Sequence, residues 1–309
     1  MVNLYHKHVL IITDIEGSSL CRNYEMSSFM TTTWPEACVG MSLDVDAVCK
    51  ALFLAGVETI TIKDFHRTGY NLFPELIDNR ARVIHGYCAG PVPGIGDPKP
   101  ATAVLMIGMH APSGSNGFLA HTLTSRIASL TVNGVLMSEA ELFSASLAPF
   151  GISPLFFSGC PIACQSAQQK ITGLHCFPIE KVSNGKPFPA ESWRQVLAKE
   201  AVKAVTTQVG TPFEPIGPFK AVIEMRDGPK TADKLARRWG HSFDGAFIFL
   251  NQDSIHDLYY ELMRLCYLTP LIEKFLTPAL ALFNLRGKYG LWWARRQYYR
   301  NLKNNLNSV

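Results

Sequence analysis

Asp14 and Glu16 stand two residues apart, after the apolar run Leu10-Ile11-Ile12-Thr13 and before Gly17. On an extended strand, residues i and i+2 project to the same face, so the two carboxylates would converge. Carboxylates held together repel, and the pKa of one rises unless a cation lies between them. A second apolar run, Val57 to Lys63, leads into Asp64-Phe65-His66, and a third, Ala103 to Met109, leads into His110. Three apolar runs thus each finish in a carboxylate, an imidazole or both, the oxygen and nitrogen donors that suit a divalent metal. A lone histidine after a strand is ordinarily a loop or capping residue; three such endings together point to a metal site.

Bringing those endings together asks for a particular architecture. The β-branched run 57–63 reads as a strand. Between it and the first strand lies a helix expected from Ser42 to Ala55, closed by Gly56. Strands joined by crossing helices run parallel, with their C-terminal ends along one edge of a sheet. A poorer strand near Arg82 to His85 and a Gly/Pro-rich loop, Gly90 to Pro100, precede the third strong strand. Leu130 to Leu136 reads as a hairpin turning on Asn133-Gly134. A helix then opens at Ser138-Glu139-Ala140-Glu141, where either glutamate could simply favour the helix dipole. Ser153 to Gly159 is another buried strand, and Cys160 and Cys164 after it lack redox or zinc spacing and read as packing thiols. Beyond a polar stretch, Ser183 to Pro189, the pattern is a helix (Glu191 to Val209), a strand (Lys220 to Met225), a helix (Thr231 to Trp239), a strand (Gly245 to Leu250) and a helix (Ser254 to Tyr267). The expected fold is α/β: a largely parallel central sheet flanked by helices, a smaller α+β second domain and a helical C-terminal extension. The expected divisions are 1–188 for the metal-binding catalytic domain, 189–268 for the second domain and 269–309 for the tail.

Composition narrows the class. At 309 residues and 47% hydrophobic, the chain has ample material for a buried core. The net charge of +4 is uneven, because Glu273 is the last acidic residue and seven lysines and arginines follow it, interleaved with Trp292, Trp293, Tyr298 and Tyr299. Such a tail is expected to contact another subunit, ahead of a membrane surface, a solvated helix or nucleic acid. Eight scattered cysteines without zinc-finger spacing, and an N-terminus without a basic and apolar leader pattern, suggest a cytoplasmic protein with reduced thiols. No apolar run reaches membrane-spanning length without a charge or proline.

Five motifs in order resemble the DppA-type zinc D-aminopeptidases, a family of self-compartmentalising peptidases. They are Thr13-Asp14-Ile15-Glu16-Gly17, Lys63-Asp64-Phe65-His66 with Asn71 beyond it, Gly108-Met109-His110-Ala111, Ala120-His121-Thr122, and Asn133 followed by Glu139. The resemblance covers Leu10 to about Lys181, and more loosely continues to Tyr267. It implies a two-zinc centre with ligands Asp14, Glu16, His66, His110 and Glu139, Asp14 being shared, and a catalytic role for His121. Glu139 rather than Glu141 keeps the family's spacing. The implied activity is release of an amino-terminal D-residue from short peptides, by metal-activated water with His121 relaying protons. The implied partners are copies of the chain itself in a ringed decamer; nucleic acid is not expected. Members carry acidic residues after the strand glycine where this chain has Cys160-Pro161. The alternatives are a zinc hydrolase of another small amide and a non-catalytic oligomeric binding protein on the same fold.

Overall fold

The computed structural model describes residues 4–181 and 188–306, so most of the polar stretch from Ser183 to Pro189 lies outside the described residues. Along the chain come β1 (His8–Thr13), α1 (Tyr24–Ser27), α2 (Trp34–Leu54), β2 (Thr59–Asp64), β3 (Arg82–Ile84) and β4 (Ala103–Met109). The hairpin β5 (Ile127–Val132) and β6 (Val135–Leu136) follows, then α3 (Glu139–Leu147), β7 (Ser153–Gly159), α4 (Pro161–Lys170) and β8 (His175–Pro178). The later elements are α5 (Ala190–Thr207), β9 (Phe219–Met225), α6 (Pro229–Trp239), β10 (Ser242–Asp244), β11 (Phe247–Gln252), α7 (Ile255–Tyr267), α8 (Pro270–Lys274) and the long α9 (Leu276–Leu306).

Six strands form a parallel sheet in the order β3-β2-β1-β4-β7-β8. Its central strand explains why the first apolar run shows no polar alternation, since both faces of β1 are covered. Val9 and Ile11 pack with α2 and α5 on one face, while Leu10 and Ile12 join α3, α7 and the second sheet on the other. That second sheet is antiparallel, in the order β10-β11-β9-β5-β6. It therefore combines strands from 219–252 with a hairpin from before residue 188. Asn133 and Gly134 turn that hairpin with φ of 51° and 78°, the left-handed pair that a tight turn between twisted strands requires.

Two departures from the sequence reading have physical causes. Helix α2 begins at Trp34 rather than Ser42, with Pro35 in its first turn, where no backbone donor is lost. Gly40 inside it is a packing device: an added Cβ would come within 2.6 Å of the Leu20 Cβ. The second departure is β10, three residues long and too short for a periodicity signal. Within α2, the buried Asp44 carboxylate takes Nε of Arg194 on α5 at 2.7 Å and the Ser19 amide and hydroxyl at 2.7 and 2.6 Å. Those bonds tie the segment after β1 to two helices. All eight cysteines are free thiols.

The loops leaving β1 and β4 touch backbone to backbone. Gly17 N–H donates to the Gly108 carbonyl at 2.6 Å, and Gly108 adopts a φ of 81° with the Asp14 carbonyl 2.1 Å from where a Cβ would sit. Gly108→Ala is therefore expected to cost on the order of 3 kcal/mol of stability, from backbone strain and the forced separation of the two loops. Gly134→Ala, at similar φ but with open space around it, should cost only about 1 kcal/mol. Denaturant unfolding of the two variants measures the difference.

Candidate metal centre

The sheet order places the site. From β1 the chain winds outward through β2 and β3, then returns to β4 on the other side of β1, so the winding reverses between β1 and β4. A crevice opens outside the C-terminal ends of the strands at such a point. Asp14 and Glu16 follow β1, His66 follows β2 and His110 follows β4. With Glu139, the first residue of α3, they are 3% to 7% exposed. His121, half-buried, reaches the same place from the loop between β4 and β5.

The donors fall into two groups, Asp14–Glu16–His66 and His110–His121–Glu139, each with one donor atom per residue within 4.8 Å of the others. Asp14 spans both. Its Oδ1 lies 3.1 Å from His66 Nδ1 and its Oδ2 lies 3.3 Å from His110 Nε2. Glu16 Oε2 is 2.7 Å from His66 Nδ1, and Glu139 Oε1 is 3.4 Å from His110 Nε2.

Backbone carbonyls set the direction of each imidazole. A carbonyl can only accept, so His66 Nε2–H donates to Ser27 O at 2.7 Å, His110 Nδ1–H to Ala111 O at 3.0 Å and His121 Nδ1–H to Leu119 O at 2.8 Å. Each neutral ring then turns its bare nitrogen away from that carbonyl, the arrangement by which a carbonyl orients a metal-ligating histidine. His110 Nε2 and Glu16 Oε2 are buried without a well-formed hydrogen bond despite their close neighbours. Buried polar atoms left so are scarce in folded proteins, and here they belong to oxygens and nitrogens that converge. The donor set and these orphaned atoms fit a divalent cation in each group, with Asp14 common to both.

Electrostatics point the same way. Burial and the Asp14 charge push Glu16 up to about 7. Burial opposes ionisation of Asp14 too, but hydrogen bonds with Glu16, His110 and His66 hold it well below the usual carboxylate range. For His66, burial resists the charged form, yet the facing Glu16 and Asp14 carboxylates outweigh it and raise the ring to about 10. His110 is likewise raised against burial by Glu139 and Asp14. The carboxylates thus draw positive charge into the crevice, which the rings supply as protons and a metal would supply instead. His121 differs: burial and the neighbouring His110, stacked on it at 3.7 Å between centroids, lower it to about 4.

Neighbouring elements fix these donors. Asp64, also at a strand end, is in neither group. It is buried, takes bonds from the Asn71 amide at 2.5 Å and Nδ2 at 2.9 Å, and so folds the loop bearing His66. Asn71 Nδ2 also donates to the His66 carbonyl at 2.8 Å, and its Oδ1 accepts from Trp34 Nε1 at 2.9 Å. The two glutamates of the first turn of α3 separate plainly. Glu141 closes a capping box on the Ser138 amide at 2.5 Å and lies 3.5 Å from Lys170 Nζ, whereas Glu139 faces the crevice and accepts from the Leu123 amide at 2.6 Å. Leu119 and Leu123, on either side of His121, hold left-handed φ of 48° and 60°. For leucine that costs about 1–3 kcal/mol each, and both supply backbone groups to the site.

The crevice opens into a cavity of about 690 Å³, a size suited to a small ligand. Arg67 and Arg226 stand in its wall with Tyr24, Tyr87 and Tyr267. Sequence patterning gave no signal for these residues, which come from separate loops and helices. Among the described residues, no helix is long and apolar enough to cross a membrane.

A model of the D-aminopeptidase family matches residues 8–262, which includes all six site residues. The chain belongs to the D-aminopeptidase family. It is accordingly an amide-bond hydrolase, a peptidase whose donors lie within the matched span. No curated protein sequence matches it. Among solved structures, this D-aminopeptidase family member is similar to the Zn-dependent D-aminopeptidase DppA from Bacillus subtilis, described as a self-compartmentalizing protease. The two share 16% identity over 84% of this chain and 97% of that one, with a TM-score of 0.76, a likeness that shows a common fold.

The roles of the two glutamates are separable. Glu139→Ala is expected to lower bound divalent metal and abolish turnover. Glu141→Ala should leave metal content intact and lower stability by about 1 kcal/mol through loss of the cap. Elemental analysis alongside thermal unfolding distinguishes them.

Proposed function

We propose that this D-aminopeptidase family member is a two-zinc enzyme that releases an amino-terminal D-residue from short peptides. One observation carries the proposal: the two oxygens of Asp14 face two separate imidazole–carboxylate groups inside one small-ligand cavity. Asp14, Glu16 and His66 would hold one ion, Asp14, His110 and Glu139 the other. Bound zinc supplies Lewis acidity toward an amide carbonyl and toward water near neutral pH.

The chain's own groups do the rest. His121 gives its Nδ1–H to the Leu119 carbonyl. Its Nε2 is therefore free to take a proton from the attacking water and hand it to the leaving amine. The exposed guanidinium groups of Arg67 and Arg226 suit the carboxylate of a short peptide at the cavity wall. The family supports a D-preference, and a neighbour described as self-compartmentalizing supports assembly into a homo-oligomer. The eight free cysteines suit a reducing compartment such as the cytoplasm.

Two measurements test this reading. Purified protein should contain close to two zinc ions per chain and cleave D-Ala-initiated dipeptides in preference to the L-series, with activity lost to chelator and restored by zinc. Metal without cleavage of either series would move the substrate to another class of small amide, and no metal after zinc is supplied would end the proposal. His121→Ala should keep its zinc and lose about 10²–10⁴-fold in kcat. Loss of metal in that variant would make His121 a ligand instead, in keeping with its position beside His110 and Glu139.

A further inference from the structure

Helix α9 lies beyond residue 262, where the family match ends. At 100° per residue its positions sort into two faces. Gly287, Gly290, Leu291, Ala294 and Tyr298 share the inner face. That face packs on the body: Gly287 against Tyr70, Gly290 against Phe29, and, beside them, Trp293 stacked on Trp34. The outer face carries Leu282, Leu285, Tyr289 and Trp292, 51% to 70% exposed, while Tyr299 beyond them turns its hydroxyl to Glu75 of the body at 3.2 Å. The outer face is a stripe of about three turns, whereas exposed apolar residues on a monomer are usually scattered.

The charges beside this stripe identify what covers it. Arg286, its guanidinium over the Phe29 ring at 5.1 Å, and Arg300 lie along one side of it and Lys288 along the other, all exposed, and Arg296 sits within it against Trp292. No acidic residue follows Glu273. A second copy of α9 laid along the stripe would set these cations against their own kind. An anionic bilayer instead accepts leucine and aromatic rings at the boundary between headgroups and acyl chains and offers phosphates to both cationic borders. Tryptophan and tyrosine are the residues favoured at that depth.

We propose that the outer face of α9 is a membrane-surface helix that docks the protein on anionic phospholipid, its apolar stripe entering the interface and Arg286, Lys288 and Arg300 pairing with headgroups. This docking is independent of the peptidase reading, and lipid binding is read out without peptide substrate.

The test is co-sedimentation of the full-length protein with vesicles of phosphatidylcholine alone and of phosphatidylcholine mixed with phosphatidylglycerol. Binding to the mixed vesicles should be tighter by about 100-fold, from roughly 1 kcal/mol for each of three cations near the surface. It should weaken as salt is raised. Arg286→Gln with Arg300→Gln should remove most of the preference for phosphatidylglycerol. Leu285→Gln with Trp292→Gln should abolish sedimentation with either vesicle while leaving peptidase activity and helix content unchanged. Absence of binding to the mixed vesicles would overturn the proposal, as would undiminished binding by the Leu285/Trp292 variant. A fall in oligomeric state for that variant, with no vesicle binding by the parent protein, would assign the stripe to a second copy of the chain.

Discussion

Three carboxylates buried around two imidazoles are the constraint on which the rest of this structure depends. Asp14, Glu16 and Glu139 have given up water, and a buried charge is tolerated only when compensated. Compensation comes from His66 and His110, whose rings are turned toward the carboxylates by the carbonyls of Ser27 and Ala111. Breaking either orientation would leave negative charge unanswered in a crevice of low dielectric, a far larger cost than the loss of one hydrogen bond. The architecture around the crevice serves that alignment.

The parallel sheet supplies it cheaply. With the winding reversed between β1 and β4, the donors after those two strands need only short loops to meet, and the paired glycines Gly17 and Gly108 allow those loops to touch. Elsewhere the cost is higher. Leu119 and Leu123 accept a left-handed backbone so that a carbonyl can steer His121 and an amide can steer Glu139. Strain of this kind persists only where packing overrides it, and Leu123 is buried in the core beneath the site.

Much of this was legible in the amino-acid sequence because the strongest signals and the functional positions coincide. The apolar runs ending at Thr13 and Met109 are strands covered on both faces, the run ending at Lys63 is covered toward its C-terminal end, and their endings carry the donors directly. The hairpin at Asn133-Gly134 was readable from its turn chemistry. Choosing Glu139 over Glu141 needed more than spacing within the helix, since both sit in the first turn and only the capping box distinguishes their surroundings. The start of α2 was hidden because Pro35 and Gly40 look like breakers until Leu20 is seen filling the space a side chain would take. Asn71 was noted as part of a motif, but its bonds to Asp64, His66 and Trp34 join residues far apart in the chain and leave no local pattern. Arg67 and Arg226 reach the cavity from remote loops for the same reason.

Trp34 has an implication for how the protein is made. It is fully buried between Phe29 and Trp293, and its indole nitrogen holds the asparagine that holds the His66 backbone. Its outer wall therefore comes from a helix that leaves the ribosome after the whole of the family's span has been translated. Until Gly287 and Trp293 emerge, the nascent body carries an open aromatic flank at Trp34 and Tyr70, directly behind the loop that bears His66. The support of the site is thus tied to the synthesis of α9, and every donor residue can be present in a chain whose supporting wall has yet to arrive.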